Sequence, residues 1–342
     1  MSVSALEVYL YGRASRAAEA LQSELVRVAA EGVHPAAGLT LDPELAGALV
    51  RERLVVRLNG RLVPGPGLVW ISAGLREELL QVLQPVQERY LKILEAGIPL
   101  LQESAAADGS GPWEALEHVV VAGLLIDMGV RRHLIGQGLV RQQPRSCWLW
   151  AFEGTTLGRH KFGVRLWHDR ELPFGIGQLW YGYSRPHPKF SKADLSALAA
   201  VLETGTACDA EANVLRLRAR GLIRRDGETH VPAVPVLVCA DDRRLWGEID
   251  RLAAEVVREA ISPAQTALGV LAKHLPMVPR DSFVQASMRL LMEHVLDAAV
   301  DGGLLRPLPV EAPPHYGFWL WREDASRRFT ESLGNWMEVG SA

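Results

Sequence analysis

Arg216, Arg218, Arg220, Arg224 and Arg225 are crowded into one short stretch, and residues 212–225 contain no acid. A guanidinium is planar, permanently charged and forked, so it matches two oxygens of a phosphate or the two acceptors on a guanine edge. Arg216 and Arg220 stand four residues apart, which puts them on one face if the stretch is helical. A looser set, Arg51, Arg53, Arg57 and Arg61 with Glu52 among them, lies in the first half of the chain. Residues 141–189 are basic as well, with Arg141, Arg145, Arg159, Lys161, Arg165, Arg170, Arg185 and Lys189 against Glu153, Asp169 and Glu171. The chemistry these residues can do is to hold a polyanion. The bland alternative is a solvated surface or ion pairs with acids elsewhere in the fold.

Residues that could break or make bonds are poorly placed by comparison. None of the ten histidines falls in a ligand spacing such as His-Glu-x-x-His. His160 and His168 with Asp169 are near neighbours, but solvated or hydrogen-bonded histidines account for them. Glu117-His118 and Glu293-His294 look like twins, yet they do not superpose when the two halves are aligned. Gly175-Ile176-Gly177 lacks the rest of a phosphate-cradling loop. The cysteines (Cys147, Cys208, Cys239) are odd in number and include no Cys-x-x-Cys, so a reducing compartment without structural zinc is expected. No nucleophile, base and orienting group are in evident register. We therefore expect a non-enzyme with no cofactor.

The elements that must position the arginines can be read from pattern. Ser191-Lys192-Ala193-Asp194 starts a helix carrying Leu195, Leu198, Ala199 and Leu202 at helical spacing. Asp209 caps a second helix with Val214 and Leu217 inward and Leu215 as a further candidate for that face, and Gly221 ends it. Residues 222–231 then read strand, Asp226-Gly227 turn, strand. Helix, turn, helix and hairpin over residues 190–238 resemble the winged helix-turn-helix superfamily. That resemblance implies a second helix in the DNA major groove and a hairpin on the backbone or minor groove. Arg216, Arg218, Arg220, Arg224 and Arg225 would then face DNA, as would Arg51, Arg53 and Arg57 in the other half. The first half departs from the pattern: Leu54 stands where Gly221 does, and residues 32–41 make a longer loop.

The chain also resembles itself. Tyr9-x-Tyr11-x-Arg13 returns as Tyr181-x-Tyr183-x-Arg185, and residues 42–60 align without a gap on residues 209–227. Gly138-Leu139-Val140-Arg141 returns as Gly303-Leu304-Leu305-Arg306. Trp148-Leu149-Trp150 returns as Trp319-Leu320-Trp321. The offset stays close to half the chain length, which points to tandem duplication. In a strand, the two tryptophans of each triplet face one side. There they either pack a hairpin or line an aromatic pocket, and packing is the commoner use.

The expected fold is α+β and mostly helical, a duplicated unit with winged-helix modules and long spine helices. The first repeat spans residues 1–171: a winged-helix-like module at 14–72, spine helices at 73–104, a second module at 112–152 and a connector at 153–171. The second spans residues 172–342: a module at 190–239, spine helices at 241–275, a second module at 281–322 and a tail at 323–342. In the second modules the Trp-Leu-Trp segments would be hairpin return strands. The spines should be interrupted near Pro85 and Pro263.

About half the 342 residues are hydrophobic, enough for folded cores and too many for a disordered chain. No apolar run reaches the roughly eighteen residues needed to cross a bilayer, and the first residues do not read as a secretion signal. A cytoplasmic protein with no membrane contact is expected. The net charge of −3 argues against coating nucleic acid non-specifically but leaves room for a local positive face. The expected function is double-stranded DNA binding in transcription regulation, by a monomeric pseudo-dimer. The alternative is a scaffold that binds a protein partner.

Overall fold

The computed structural model describes residues 6–11, 16–30, 41–140, 148–154, 162–168, 172, 174–181, 190–204, 211–239, 243–307 and 317–323. Arg141, Cys147, His160, Cys208, Tyr183, Arg185 and the expected tail beyond Glu323 lie outside them. The fold is α+β and mostly helical, with two small sheets and two separate hairpins.

In the first half, strand β1 (Leu6–Tyr11) leads into α1 (Arg16–Ala30) and α2 (Pro43–Arg51). The hairpin β2 (Val55–Leu58) and β3 (Arg61–Pro64) follows, then β4 (Leu68–Ile71). A long helix α3 (Ala73–Ala107), a short α4 (Trp113–His118), an eleven-residue π-helical stretch (Val119–Gly129) and α5 (Val130–Gly136) lead to β5 (Trp148–Glu153). β5 is central, antiparallel to β1 and parallel to β4.

In the second half, β6 (Phe162–His168) and β7 (Phe174–Tyr181) precede α6 (Lys192–Thr204) and α7 (Glu211–Ala219). The hairpin β8 (Ile223–Asp226) and β9 (Thr229–Pro232) leads to β10 (Val236–Cys239). Next come α8 (Arg244–Glu255), α9 (Gln265–Leu271), α10 (Arg280–Asp301) and the closing strand β11 (Phe318–Glu323). β11 is again central, antiparallel to β7 and parallel to β10, with β6 added at the edge. From β1 and from β7 onward, the order helix, helix, hairpin, strand, long helices, central strand is the same.

Each sheet turns one face to its helix-helix-hairpin module. Leu6, Val8, Leu68, Trp70, Leu149 and Ala151 join Leu21, Leu25, Ala46, Leu49, Leu54 and Leu62 in one core. Phe174, Ile176, Phe318 and Leu320 join Leu195, Leu198, Val214, Leu217, Leu222 and Ile223 in the other. Each fully buried Leu or Ile contributes about 1.5–3 kcal/mol, so these clusters dominate the stability of the modules.

The alternation puts the tryptophans of Trp-Leu-Trp on the opposite face, and in the second sheet the π-helical stretch covers it. A Cβ on Gly123 would meet Val164, Leu179 and Trp319. Asp127 of the same stretch accepts the N–H of Val164 at 3.0 Å, tying helix to strand. The chain falls into two compact units. One is Met1–Tyr90, Leu134–Arg159 and Arg258–Val295; the other is Leu91–His133, His160–Val257 and Leu296–Ala342. Each unit therefore holds one sheet and its module together with helices from the other half of the sequence. A heterologous cap in the second unit shows the exchange locally. Asp108, at the end of α3, accepts the N–H groups of Arg244 and Leu245 at 3.1 and 2.9 Å, satisfying the start of α8.

Several expectations change. Residues 112–152 and 281–322 do not form second helix-helix-hairpin modules among the described residues. Their Trp-Leu-Trp strands have both edges occupied, by β1 and β4 or by β7 and β10, which leaves no edge for a hairpin partner. Gly138 and Gly303 do end helices as left-handed residues, with φ of 68° and 72°. Pro85 does not interrupt α3: it is exposed, so water can take the carbonyl it frees, and Leu83, Val86 and Tyr90 are buried around it. Near Pro263 the helix does break, into a 3₁₀ turn at Ser262–Ala264.

Register is corrected too. Tyr9 and Tyr11 stand opposite Trp150 and Trp148, and the residues in the same relation to Trp321 and Trp319 are Gly175 and Gly177, not Tyr181 and Tyr183.

Candidate nucleic-acid interface

Matching hydrogen bonds fix which residues of the two modules correspond. Leu54 N–H bonds the Leu49 carbonyl, and Leu222 N–H bonds that of Leu217, each at 3.0 Å. The left-handed residue before each is Arg53 (φ 60°) in one module and Gly221 (φ 69°) in the other. The first hairpin turns on Asn59-Gly60 between the paired Leu58 and Arg61. The second turns on Gly227-Glu228 between the paired Asp226 and Thr229. The correspondence is thus one residue off the ungapped sequence alignment. Arg57 matches Arg225, while Arg51, Arg53 and Arg61 match Ala219, Gly221 and Thr229.

The Arg216 cluster is largely turned to the protein's own use. Ser191 and Asp194 form a reciprocal cap at the start of α6. Ser191 donates its N–H and hydroxyl to Asp194 Oδ2, both at 2.9 Å, and Asp194 N–H donates to Ser191 Oγ at 3.1 Å. The other carboxylate oxygen takes Arg216, with Nε at 3.0 Å and Nη2 at 2.9 Å. Arg216 also donates to Asn213 Oδ1. The Asp194 side chain is only 3% exposed and that of Arg216 is 47% exposed. Burial alone would raise the Asp194 carboxyl, but the bonds from Ser191 and Arg216 outweigh it and hold the group below the ordinary carboxylate range.

Arg220 lies 4.5 Å over the centre of the Phe190 ring, which itself stacks edge-on against Trp167 at 4.9 Å and Phe318 at 6.1 Å. Its Nη1 is buried without a hydrogen-bond partner. Arg218, Arg224 and Arg225 are exposed. Arg225 folds back on the turn, with Nε donating to the Gly227 carbonyl at 2.9 Å. Asp226 and Glu228 at the same tip cancel the charge of Arg224 and Arg225. Arg216 and Arg220, first in rank from sequence, are therefore held by tertiary partners that no local spacing reveals.

The first module is different. Arg51, Arg53, Arg57 and Arg61 are all exposed and none has an ion pair among the described residues. The position of Arg216 is taken by Ala48, so α2 has no counterpart to the buried pair. The hairpin 55–64 contains Arg57 and Arg61 and no acid. Its tip also bears Leu58, one of the few large apolar side chains left in water among the described residues, at 60% exposure. Sequence reasoning missed Leu58, because one leucine in a strand-like run reads as core. The available signal was its place beside Asn59-Gly60, where a hairpin has no core to offer. At the other end of the module, α2 begins with acids: Asp42 caps Glu44 and Leu45 N–H at 2.9 and 3.2 Å.

Several of the remaining sequence candidates, among the described residues, are held in packing or pairing contacts. Trp319 and Trp321 are buried with their indoles over Gly177 and Gly175, where an added Cβ would come within 2.1 and 2.2 Å of the rings. The Gly-x-Gly exists to seat the Trp-x-Trp. Glu117 accepts Arg306 Nε at 2.7 Å, and His118 Nε2 donates to the Arg306 carbonyl at 2.9 Å. Glu293 pairs with Arg289 at 2.9 Å. His133 bonds Asp250 at 2.7 Å; burial, then the neighbouring Arg132, hold its imidazole below the usual range. No three His, Cys, Asp or Glu side chains converge among the described residues. No helix among them is long and apolar enough to cross a membrane. Comparison with family models, with curated proteins and with solved structures finds no match.

Proposed function

We propose that the protein binds double-stranded DNA in transcription regulation and that the first helix-helix-hairpin module makes the contact. One observation carries the reading: Arg51, Arg53, Arg57 and Arg61 are exposed on one module and have no ion pair among the described residues, with no acid in its hairpin. Phosphates are the partner such a surface suits, since each can take a guanidinium without first breaking an internal bond. The acidic start of α2 disfavours phosphate at that helix N-terminus. Contact through the hairpin and the helix C-terminus follows. On this reading both modules are winged helices and the halves arose by duplication, supported by their common connectivity and strand pairing. A single chain would then work as a monomer, with the first module as the reader.

Binding of a labelled duplex by the full chain at several salt concentrations tests this. Arg57→Ala/Arg61→Ala should weaken binding and lower the log–log salt slope by roughly two units. Arg218→Ala/Arg224→Ala should lower it by less than about one. Equal effects would remove the first module from its place as reader.

A second reading is favoured by the Arg216–Asp194 and Arg220–Phe190 contacts. They make the second module a packing element, as expected of a scaffold subunit that binds another protein. Absence of duplex binding at low salt would favour that reading.

A further inference from the structure

We propose that hairpin β2–β3 enters the DNA minor groove tip first and that Leu58 wedges between base pairs, bending the duplex; this rests on the DNA-binding reading above. Leu58 is 60% exposed at a position where a soluble hairpin gains nothing from leucine. Arg61 stands directly across the strand pair from it, and Arg57 precedes it. An apolar side chain bracketed by two exposed cations, without ion pairs among the described residues, fits a partner that offers an apolar stack between rows of negative charge. A base-pair step flanked by phosphates is such a partner.

A whole two-stranded ribbon, like a helix, fills a major groove, so entry into the narrower minor groove is by the tip alone. The turn itself is slim. Asn59 (φ 49°) and Gly60 (φ 77°) are both left-handed, and a Cβ on Gly60 would touch nothing within 4 Å. The second hairpin supplies an internal contrast, because Asp226 occupies the place of Leu58 and Thr229 that of Arg61. The same scaffold there carries a tip whose acids, Asp226 and Glu228, offset Arg224 and Arg225 and leave no net positive charge for phosphate. A wedge in the minor groove also prefers A·T pairs, where no guanine amino group blocks the floor.

The test uses the full chain and a short A·T-rich duplex carrying 2-aminopurine, with a dye pair on its ends. Wild type should raise 2-aminopurine fluorescence, shorten the end-to-end distance and lose both effects when netropsin fills the groove. Leu58→Ala should bind within about threefold of wild type, since its arginines remain, yet lose unstacking and bending. Leu58→Asp should lose binding by about tenfold or more. Wild-type binding without unstacking or bending overturns the wedge and leaves the DNA reading standing. Bending retained by Leu58→Ala also overturns it. Binding to polyglutamate as tight as to DNA would assign the tip to an acidic protein, and no binding to duplex at low salt would end both proposals.

Discussion

The two helix-helix-hairpin modules share connectivity, cap geometry and core positions, yet they spend their arginines differently. In the second, Arg216 of α7 and Arg220 just beyond it point back, while Arg218 and Arg224 stay exposed: Arg216 neutralises a buried aspartate and Arg220 covers an aromatic cluster. In the first, the arginines sit on the helix end and hairpin, where the core has no use for them. The same residue type is an internal strut in one place and an unclaimed surface charge in the other. Counting arginines along the chain does not show which are paired within the fold, because the count omits Asp194, which is distant in sequence from Arg216.

The strongest way to break the contrast is at that pair. Arg216→Ala leaves Asp194 buried with only Ser191 to stabilise its charge, and unfolding in urea should show a loss of about 2–4 kcal/mol. Ala48→Ser, at the matching place in the first module, should change stability by less than about 0.5 kcal/mol. Two equal losses would mean that the modules do not differ here. The pair also sets a pH dependence. The Asp194 carboxyl lies below its unfolded value, so its contribution is complete above the unfolded value and disappears as pH falls through the folded one. Asp194→Asn should flatten the acid limb of a stability profile in that window.

Next in size is the seat of the tryptophans in the second sheet, where glycines lie opposite them; the register positions paired with the first triplet are Tyr9 and Tyr11. Gly177→Ala forces Trp319 to move and should cost about 1–3 kcal/mol, visible as a lower melting temperature and altered tryptophan emission. Unchanged emission would show that the indole is not held over that glycine.

The hairpin tips allow an exchange. Asp226→Leu/Glu228→Gly/Thr229→Arg brings the leucine, the acid-free turn and the arginine of the first tip to the second hairpin and should strengthen duplex binding by roughly three- to tenfold at low salt. No gain would mean that the surroundings of the tip matter more than its side chains. The smallest expected effect is at the helix ends. Arg53→Gly relieves a left-handed non-glycine residue and should stabilise by up to about 1 kcal/mol, while Gly221→Ala should cost a similar amount. The Arg53 variant also removes one proposed phosphate contact, so a gain in stability with a loss in binding would separate the two roles of that residue.

By itself the sequence determined what short-range physics controls. The 3.6-residue spacing of Leu195 and Leu198, the Ser191–Asp194 cap, the left-handed Gly221 and the glycines closing helices at Gly138 and Gly303 are all local, and they appear where their patterns put them. The mostly helical α+β class follows from them. Only tertiary structure decided the rest. Strand neighbours depend on which edges are free, so Trp148-Leu149-Trp150 became a central strand and not one arm of a hairpin. The turn of the second hairpin moved by one residue because the pairing of Asp226 with Thr229 sets it, whatever the Asp-Gly dipeptide prefers locally. The fate of each arginine depended on long-range partners: a buried carboxylate must be paired, an aromatic face accepts a cation, and a hairpin tip offers neither.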